Sequence, residues 1–286
     1  PDPDRQDALR REVALLWRTR LLRTVQPTPL DELDGVVEVL EASLLPVVPK
    51  LYMAWERLLG EPLGDFLTVG SWVGGDRDGN PFVTGPVLEA AASRQARAAL
   101  DHYLDRVHAL GASLSVSDDL ADIPADLAAL AARAKDDALQ RRGETFRRAL
   151  VGVYARLAAT RERLAGEPPT RRPPRPAESY ATADALVAEL ETLHRALLAL
   201  DERAFRYGPT AELLRAIRTF GFHLARIDLR QNSAAHERVL TELLATAGVC
   251  RDYGRLTEAE RRVLLIRELS HRRPLVSPVA AYSEEV

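Results

Sequence analysis

A glycine-rich stretch at residues 70–81 constrains this chain more than any other feature, because the helical pattern on either side stops there. It contains four glycines in twelve residues, together with one tryptophan and three charged side chains. Glycine loses much conformational freedom on folding, and buried polar groups need partners. A fold therefore keeps such a turn mainly where the backbone approaches a ligand or presents reactive side chains. We expect Gly74, Gly75 and Gly79 to supply positive φ angles and inward N–H groups that suit an anion.

Composition predicts a helical protein with a sizeable core. Hydrophobic residues make up 46% of the 286 positions and aromatic residues only 6%, and the many Ala and Leu residues favour helix. The formal net charge is −3 with no basic tract, so we expect no nucleic-acid partner. The single cysteine, Cys250, excludes a disulfide framework and fits a reducing compartment. Because no long apolar run or signal-peptide pattern occurs, we expect a soluble, cytoplasmic protein with no membrane partner.

Apolar periodicity and helix-start residues divide the chain into about ten helices. The predicted helices cover residues 5–24, 29–46, 51–59, 86–110, 127–164, 182–200, 210–220, 233–247 and 257–271, with a further helix start at Pro124 and a division at Gly143. Pro46 and Pro49 are expected to break the second helix, and Gly111 to cap the fourth. Thr28, Thr182 or Asp184, Thr210, Ser233 and Thr257 are the expected N-caps.

Two short segments predict β-strands, and a third predicts a linker. Residues 68–73 run into the glycine turn, and residues 224–230 alternate between apolar and polar side chains before Arg230. Residues 166–178, rich in Pro and Arg, predict an exposed linker that does not pack, between helical regions at 1–165 and 179–286.

Two stretches carry a family resemblance. Residues 71–84 read SWVGGDRDGNPFVT and residues 220–237 read FGFHLARIDLRQNSAAHE. They resemble the glycine-rich signature and the arginine-bearing strand of phosphoenolpyruvate carboxylase, in the family's order, and segments such as GETFRRALVGVYARL and ELSHRRPL extend the likeness over nearly the whole chain. The resemblance implies a single internal fragment of a larger enzyme. Its fold would be mostly α, carrying about two short parallel strands of an incomplete TIM-like barrel.

The implied activity is the Mg²⁺-dependent carboxylation of phosphoenolpyruvate by bicarbonate, which gives oxaloacetate and phosphate in anaplerotic carbon fixation. By resemblance, Arg230 binds the substrate phosphate and Trp72 forms an apolar wall beside the substrate. Asp76 and Arg77 line the same site. Arginine suits the first role because its planar, permanently charged fork matches phosphate oxygens. We expect the side chains of Trp72 and Arg230 to border one shared cavity.

The family's catalytic histidine, lysine, mobile loop and Mg²⁺ ligands lie in segments with no counterpart in this sequence. We therefore expect no catalytic residue and no metal ligand within the chain, and no activity from these 286 residues alone. The resemblance also implies a homotetramer when the enzyme is complete. Arg147 corresponds to an arginine of a sugar-phosphate activator site between subunits, although a solvated helix face would also explain it.

Simpler interpretations of the site residues stay open. The Asp side chains of the turn could cap their own backbone, and Arg230 could pair with Asp228 or Glu237. A calcium loop is excluded because Pro81 and Val87 stand where such a loop needs Gly and Glu.

The other residues that could take part in catalysis or binding give weaker signals. The histidines lack metal-ligand spacing, and we expect His223 to be a structural residue. Cys250 has no basic neighbour pattern typical of a nucleophile. Asn232 stands where many relatives carry Glu, so no role is transferred to it.

Two other functions remain. The chain could be a helical scaffold or interaction module, or a phosphate-ligand binding protein without carboxylase chemistry.

Overall fold

The computed structural model describes residues 3–19, 27–78, 80–283 and 285–286. It confirms the mostly α prediction, with two short strands in the described part of the chain. The helices are α1 (Pro3–Arg18), α2 (Pro29–Val39), α3 (Leu45–Leu59), α4 (Gly85–Ser113), α5 (Ala125–Arg133), α6 (Thr145–Ala165), α7 (Ala183–Leu200), α8 (Glu202–Phe205), α9 (Pro209–Phe220), α10 (Ser233–Thr246) and α11 (Glu258–Leu269). The strands are β1 (Gly70–Ser71) and β2 (Arg226–Ile227). The predicted continuation of the first helix beyond residue 19 lies outside the described residues.

Most predicted helix starts are confirmed by side-chain capping bonds. Thr28 and Thr257 each form a reciprocal capping box, and Thr182 accepts a hydrogen bond from the N–H of Ala185. Two predicted caps are wrong. Thr210 is buried inside α9, which begins at Pro209, because proline is favoured in the first helical turn. Asn232, rather than Ser233, caps α10.

Two predicted helix ends are also wrong. A π-helical turn at Leu40–Leu44 joins α2 to α3, and Pro49 lies inside α3. Pro46 lies in the first turn of α3, directly after the π-helical turn. Gly111 lies inside α4, which continues to Ser113. By contrast, Gly143 has a φ of +75° and separates α5 from α6, as predicted.

One core joins the helices before and after residues 166–178. α4 packs against α6 at its centre, and α7 and α9 complete the same cluster. Tyr103, Leu157, Leu186 and Phe220 are fully buried in it. Tyr103 donates a hydrogen bond to the carbonyl of Gly221 at 2.9 Å, which ties α4 to the chain that leads into β2.

The segment at residues 166–178 is mostly exposed, as predicted, but it packs against α6, so the expectation that it does not pack is wrong. Pro169 is buried. Arg161 donates to the carbonyl of Pro168 at 3.1 Å, and the Tyr154 hydroxyl donates to the carbonyl of Arg171 at 3.0 Å. The reason is that a proline-rich extended backbone makes no internal hydrogen bonds, so its carbonyls are free to accept from helix side chains.

The segment that leads into β1 is fixed by buried polar groups of α3 and α9. The Tyr52 hydroxyl accepts hydrogen bonds from the N–H groups of Phe66 and Leu67, both at 3.0 Å. Arg215, only 8% exposed, pairs with Asp65 at 2.8 Å. These contacts set the position from which the chain enters β1.

β1 and β2 are parallel, with Gly70 opposite Arg226 and Ser71 opposite Ile227. β2 is shorter than the predicted 224–230 strand, because Leu224 has a left-handed φ of +58° and cannot join a ladder. The pairing resumes farther along as a parallel bridge between Asp76 and Arg230. The predicted strand pair is thus confirmed, with the glycine turn lying between its two pairing points.

Candidate functional site

The glycine turn folds back on itself directly after β1. The N–H groups of Gly75 and Asp76 both donate to the carbonyl of Trp72, at 2.9 and 3.0 Å. Gly74 has a φ of +87°, as predicted, and a Cβ there would lie 2.6 Å from the Cβ of Ala91. Gly79 lies outside the described residues.

Gly75 is required for a different reason, which is close backbone approach. A Cβ at this position would lie 2.6 Å from the carbonyl oxygen of Asp228 and 2.6 Å from Cγ2 of Ile227. Gly75 is not among the residues with positive φ, so that part of the expectation is wrong. The glycine lets the turn lie directly against the end of β2.

Backbone hydrogen bonds then place Arg230 beside the turn. Its N–H donates to the carbonyl of Gly75 at 3.0 Å, and its carbonyl accepts from the N–H of Arg77 at 2.8 Å. Asp76 therefore lies directly opposite Arg230. This register is set by main-chain atoms and does not depend on long side chains.

The side chains of Trp72 and Arg230 lie together, as predicted. The guanidinium carbon is 4.9 Å from the centre of the indole ring, a cation–π contact. Trp72 is 54% exposed and the Arg230 side chain 50% exposed. Within the described residues both side chains therefore lie on an open surface, and a cavity shared by the two stays a prediction.

Arg230 has a carboxylate partner other than those considered from the sequence. Its Nη1 atom is 3.9 Å from Oδ2 of Asp76, at the long end of ion-pair distances. Glu237 pairs instead with Arg261, at 2.9 Å. Asp76 also accepts the N–H of Asp78 at 3.2 Å, so the simpler interpretation of a self-capping turn is observed as well.

The surface carries arginines and carboxylates side by side, since Asp76 and Asp78 lie next to Arg77 and Arg230. Arg77 is exposed, and its side chain has no hydrogen-bond or ion-pair partner among the described residues. α10 begins three residues after Arg230, with Asn232 capping it by accepting the N–H of Ala234 at 2.9 Å. A helix N-terminus adds partial positive charge from its remaining N–H groups. Arg77 and these N–H groups are the donors on this surface that can contact an anion.

The other candidate residues lie elsewhere. Arg147, on α6, donates to its neighbour Glu144 at 2.7 Å and borders a cavity of about 390 Å³ with Arg141, Arg171 and Arg172. The pKa of His223 is lowered, first by burial and then by Arg226. The part of the chain described by the structure contains no group of three or more His, Cys, Asp or Glu side chains that could hold a metal ion.

Gln95 is a structurally important residue that pattern reasoning missed. It lies on α4, is 1% exposed and accepts the N–H of Ala225 at 3.1 Å, immediately before β2. The available signal was a polar residue within the otherwise alanine-rich stripe formed by Ala91, Ala98 and Ala99. A buried amide at such a position holds distant backbone in place.

The strand pair, the glycine turn and Arg230 together indicate a class of protein. In many α/β proteins, parallel strands are flanked by helices and bind anionic ligands at their carboxyl ends. A glycine that allows close backbone contact and an arginine where the strands end are typical of such sites. No helix among the described residues is long and apolar enough to cross a membrane.

Comparison with known proteins identifies the family. The sequence profile of the phosphoenolpyruvate carboxylase family matches residues 2–286, so the chain belongs to this family. It is 48% identical to the phosphoenolpyruvate carboxylase of Azoarcus sp. and 49% identical to that of Aromatoleum aromaticum, covering 98% of this chain and 31% of each relative. Identity to the enzyme of Ralstonia nicotianae is 46%, over 96% of this chain and 29% of that protein. The chain thus spans under a third of the length of these relatives.

Proposed function

We propose that this chain forms part of a phosphoenolpyruvate carboxylase, with Arg230 binding the phosphate of phosphoenolpyruvate. The reaction joins bicarbonate-derived carbon to phosphoenolpyruvate and yields oxaloacetate and phosphate. The observation that carries the proposal is the cation–π contact between the Arg230 guanidinium and Trp72 at the carboxyl end of the strand pair. A guanidinium that contacts the face of an aromatic ring still has N–H groups for bidentate contact with phosphate oxygens.

Trp72 and Asp76 hold Arg230 ready for this role. The indole supports one face of the guanidinium, and the carboxylate attracts it weakly from 3.9 Å. A phosphate that arrives at Arg230 can outcompete so long an ion pair, because its oxygens allow two short charge-assisted hydrogen bonds. Arg77 supplies a second cation with no partner among the described residues. The exposed face of Trp72 would become an apolar wall once the rest of the enzyme covers it, and such a wall keeps water from a reactive intermediate.

The test is Arg230→Ala in the full-length protein. Loss of a charge-assisted phosphate contact of ~3 kcal/mol should lower kcat/KM for phosphoenolpyruvate by about 100-fold. Arg238→Gln on α10 is a matched control, because Arg238 is an exposed arginine already paired with Glu285. Unchanged kinetics in Arg230→Ala would remove this residue from the site.

The chemistry beyond substrate binding is proposed to depend on segments other than these 286 residues. Mg²⁺ would supply charge neutralisation at the developing enolate when bound, and its ligands, the catalytic histidine and lysine are proposed to lie outside this chain. We therefore expect the isolated, folded chain to show no carboxylase activity. Measurable turnover by the isolated chain would contradict this.

The two other candidate functions predict different results. A scaffold predicts a full-length protein without turnover. A phosphate-ligand binding protein predicts that the isolated chain itself binds phosphoenolpyruvate, which titration calorimetry would detect.

We also propose that Arg147 contributes to a sugar-phosphate activator site and that the complete enzyme is a cytoplasmic homotetramer. The cluster of arginines around the cavity of Arg147 supports the first proposal. If it is correct, Arg147→Gln should reduce activation by a hexose phosphate without changing basal turnover. Light scattering of the full-length protein tests the second.

A further inference from the structure

A cavity of about 820 Å³ lies between the first half of α4, the end of α6 and the chain that enters β2. Its volume is in the range of small-molecule sites. Arg226, which borders it, precedes Arg230 by four residues, or roughly 13 Å of extended chain. Neither Trp72 nor Arg230 is among its lining residues. The cavity is therefore separate from the surface that those two side chains form.

Gln95 lines this cavity and carries a buried donor without a partner among the described residues. The residue is 1% exposed, and its Oε1 atom accepts the N–H of Ala225 at 3.1 Å. That bond fixes the orientation of the amide, because a backbone N–H must be met by the oxygen. The Nε2 atom then has no hydrogen-bond partner among the described residues. A buried NH₂ group without a partner is unfavourable, so a ligand oxygen bound there would be stabilised.

Two arginines give the cavity an excess of positive charge. Arg163 is held in place by bonds to the hydroxyl of Ser179 at 3.1 Å and the carbonyl of Tyr180 at 2.8 Å. Arg226 has no side-chain hydrogen bond or ion pair within the described residues. Glu89 is the one carboxylate among the lining residues that the structure describes, so the two cations outnumber it. A ligand oxygen at Gln95 is thus favoured when it carries negative charge.

Most of the remaining wall of the cavity is apolar, with Ser93 and His223 as its polar members. Leu164, Phe222 and Ile227 line it together with small alanine side chains of α4. Contact between this wall and a hydrocarbon group is favourable because it removes apolar surface from water. A second charged group placed there would lose hydration without finding a partner. The lining therefore calls for a ligand with one anionic end and one apolar end.

We propose that this cavity binds a small amphipathic carboxylate. One carboxylate oxygen accepts from Nε2 of Gln95, Arg226 neutralises the charge, and the hydrocarbon part lies against Leu164 and Phe222. Because Gln95 also holds Ala225 at the start of β2, occupancy would fix the strand that ends at Arg230. The proposal does not depend on the proposed role of Arg230 in phosphoenolpyruvate binding.

Titration calorimetry of the full-length protein with hexanoate tests this proposal. Hexan-1-ol and inorganic phosphate serve as probes that lack the charge and the hydrocarbon, respectively. We expect hexanoate to bind at least about ten-fold more tightly than either. Gln95→Glu keeps the acceptor for Ala225 but removes the NH₂ donor, and Arg226→Gln removes the charge. Each should weaken hexanoate binding by about ten-fold or more.

The control is Arg195→Gln on α7, an exposed arginine paired with Asp126, which should leave hexanoate binding unchanged. If Gln95→Glu does not fold by circular dichroism, Arg226→Gln decides the matter, because its side chain is exposed. The proposal is overturned if hexanoate does not bind. It is equally overturned if hexan-1-ol or phosphate binds as tightly as hexanoate, or if every folded cavity variant retains full affinity.

Discussion

At the scale of single residues, the site depends on Gly74 and Gly75, which are needed for different structural reasons. Gly74 adopts a conformation that other residues rarely take, whereas Gly75 has an ordinary conformation but no room for a side chain. Sequence inspection treats them alike, because both are glycines in one turn. The structure separates them, since the crowding at Gly75 comes from residues near position 228.

His102 gives a residue-scale prediction about pH. Its pKa is lowered to about 4, mainly by burial and next by Arg106. Between pH 6.5 and about 4, the His102 imidazole binds a proton in the unfolded chain but not in the folded chain. The contribution of His102 to stability is therefore full above pH 6.5 and falls as the pH is lowered toward 4.

Denaturant unfolding at about pH 7 and about pH 5 measures this contribution. Between these pH values, we expect the free energy of unfolding to fall by about 1 kcal/mol more in the unsubstituted chain than in His102→Gln. This difference is smaller than the full linkage effect because solvent screens the partly exposed ring. An identical loss in both proteins would show that other groups cause the acid sensitivity.

At the scale of elements, the strand pair is held by helices rather than by its own length. Each strand has two residues, and an isolated pair of this size is not stable in water. Tyr52 and Arg215 fix the approach to β1, and Gln95 fixes the approach to β2. The family motif predicted which residues meet, while the buried polar groups that bring them together were not apparent from the motif.

Gly75→Ala tests the close contact between the turn and β2. The added methyl group would meet the carbonyl of Asp228, so we expect a loss of about 1–3 kcal/mol in the free energy of unfolding. Because the same shift moves Arg230, the KM for phosphoenolpyruvate of the full-length protein should also rise.

Gly111→Ala is the matched control, since Gly111 lies inside α4 and a Cβ added there would meet nothing within 4 Å. It should stabilise the protein by about 0.5–1 kcal/mol through helix propensity. Equal effects of the two substitutions would contradict the assigned contact at Gly75.

At the scale of the whole molecule, burial is unevenly distributed. α4 and α6 lie at the centre of the main core, whereas α1 has no buried residue. α10 and α11 enclose a smaller cluster of Leu244, Tyr253 and Leu264. Stability should follow this distribution, because local opening is easiest where few apolar contacts are lost.

Amide hydrogen exchange of the chain measures that distribution. We expect α1 to exchange first, α10 and α11 next, and α4 and α6 only on global unfolding. Uniform protection of all these helices would show that the chain unfolds as a single unit.

The sequence by itself determined the helical content, most helix starts and, through its motifs, the meeting of Trp72 with Arg230. Helical periodicity repeats over many residues, so its signal accumulates. The tertiary structure alone decided the shortness of β2, the cap at Asn232, the packing of residues 166–178 and the open setting of the site. Each of these depends on one or two partners from distant parts of the chain, and a local pattern carries no information about such partners.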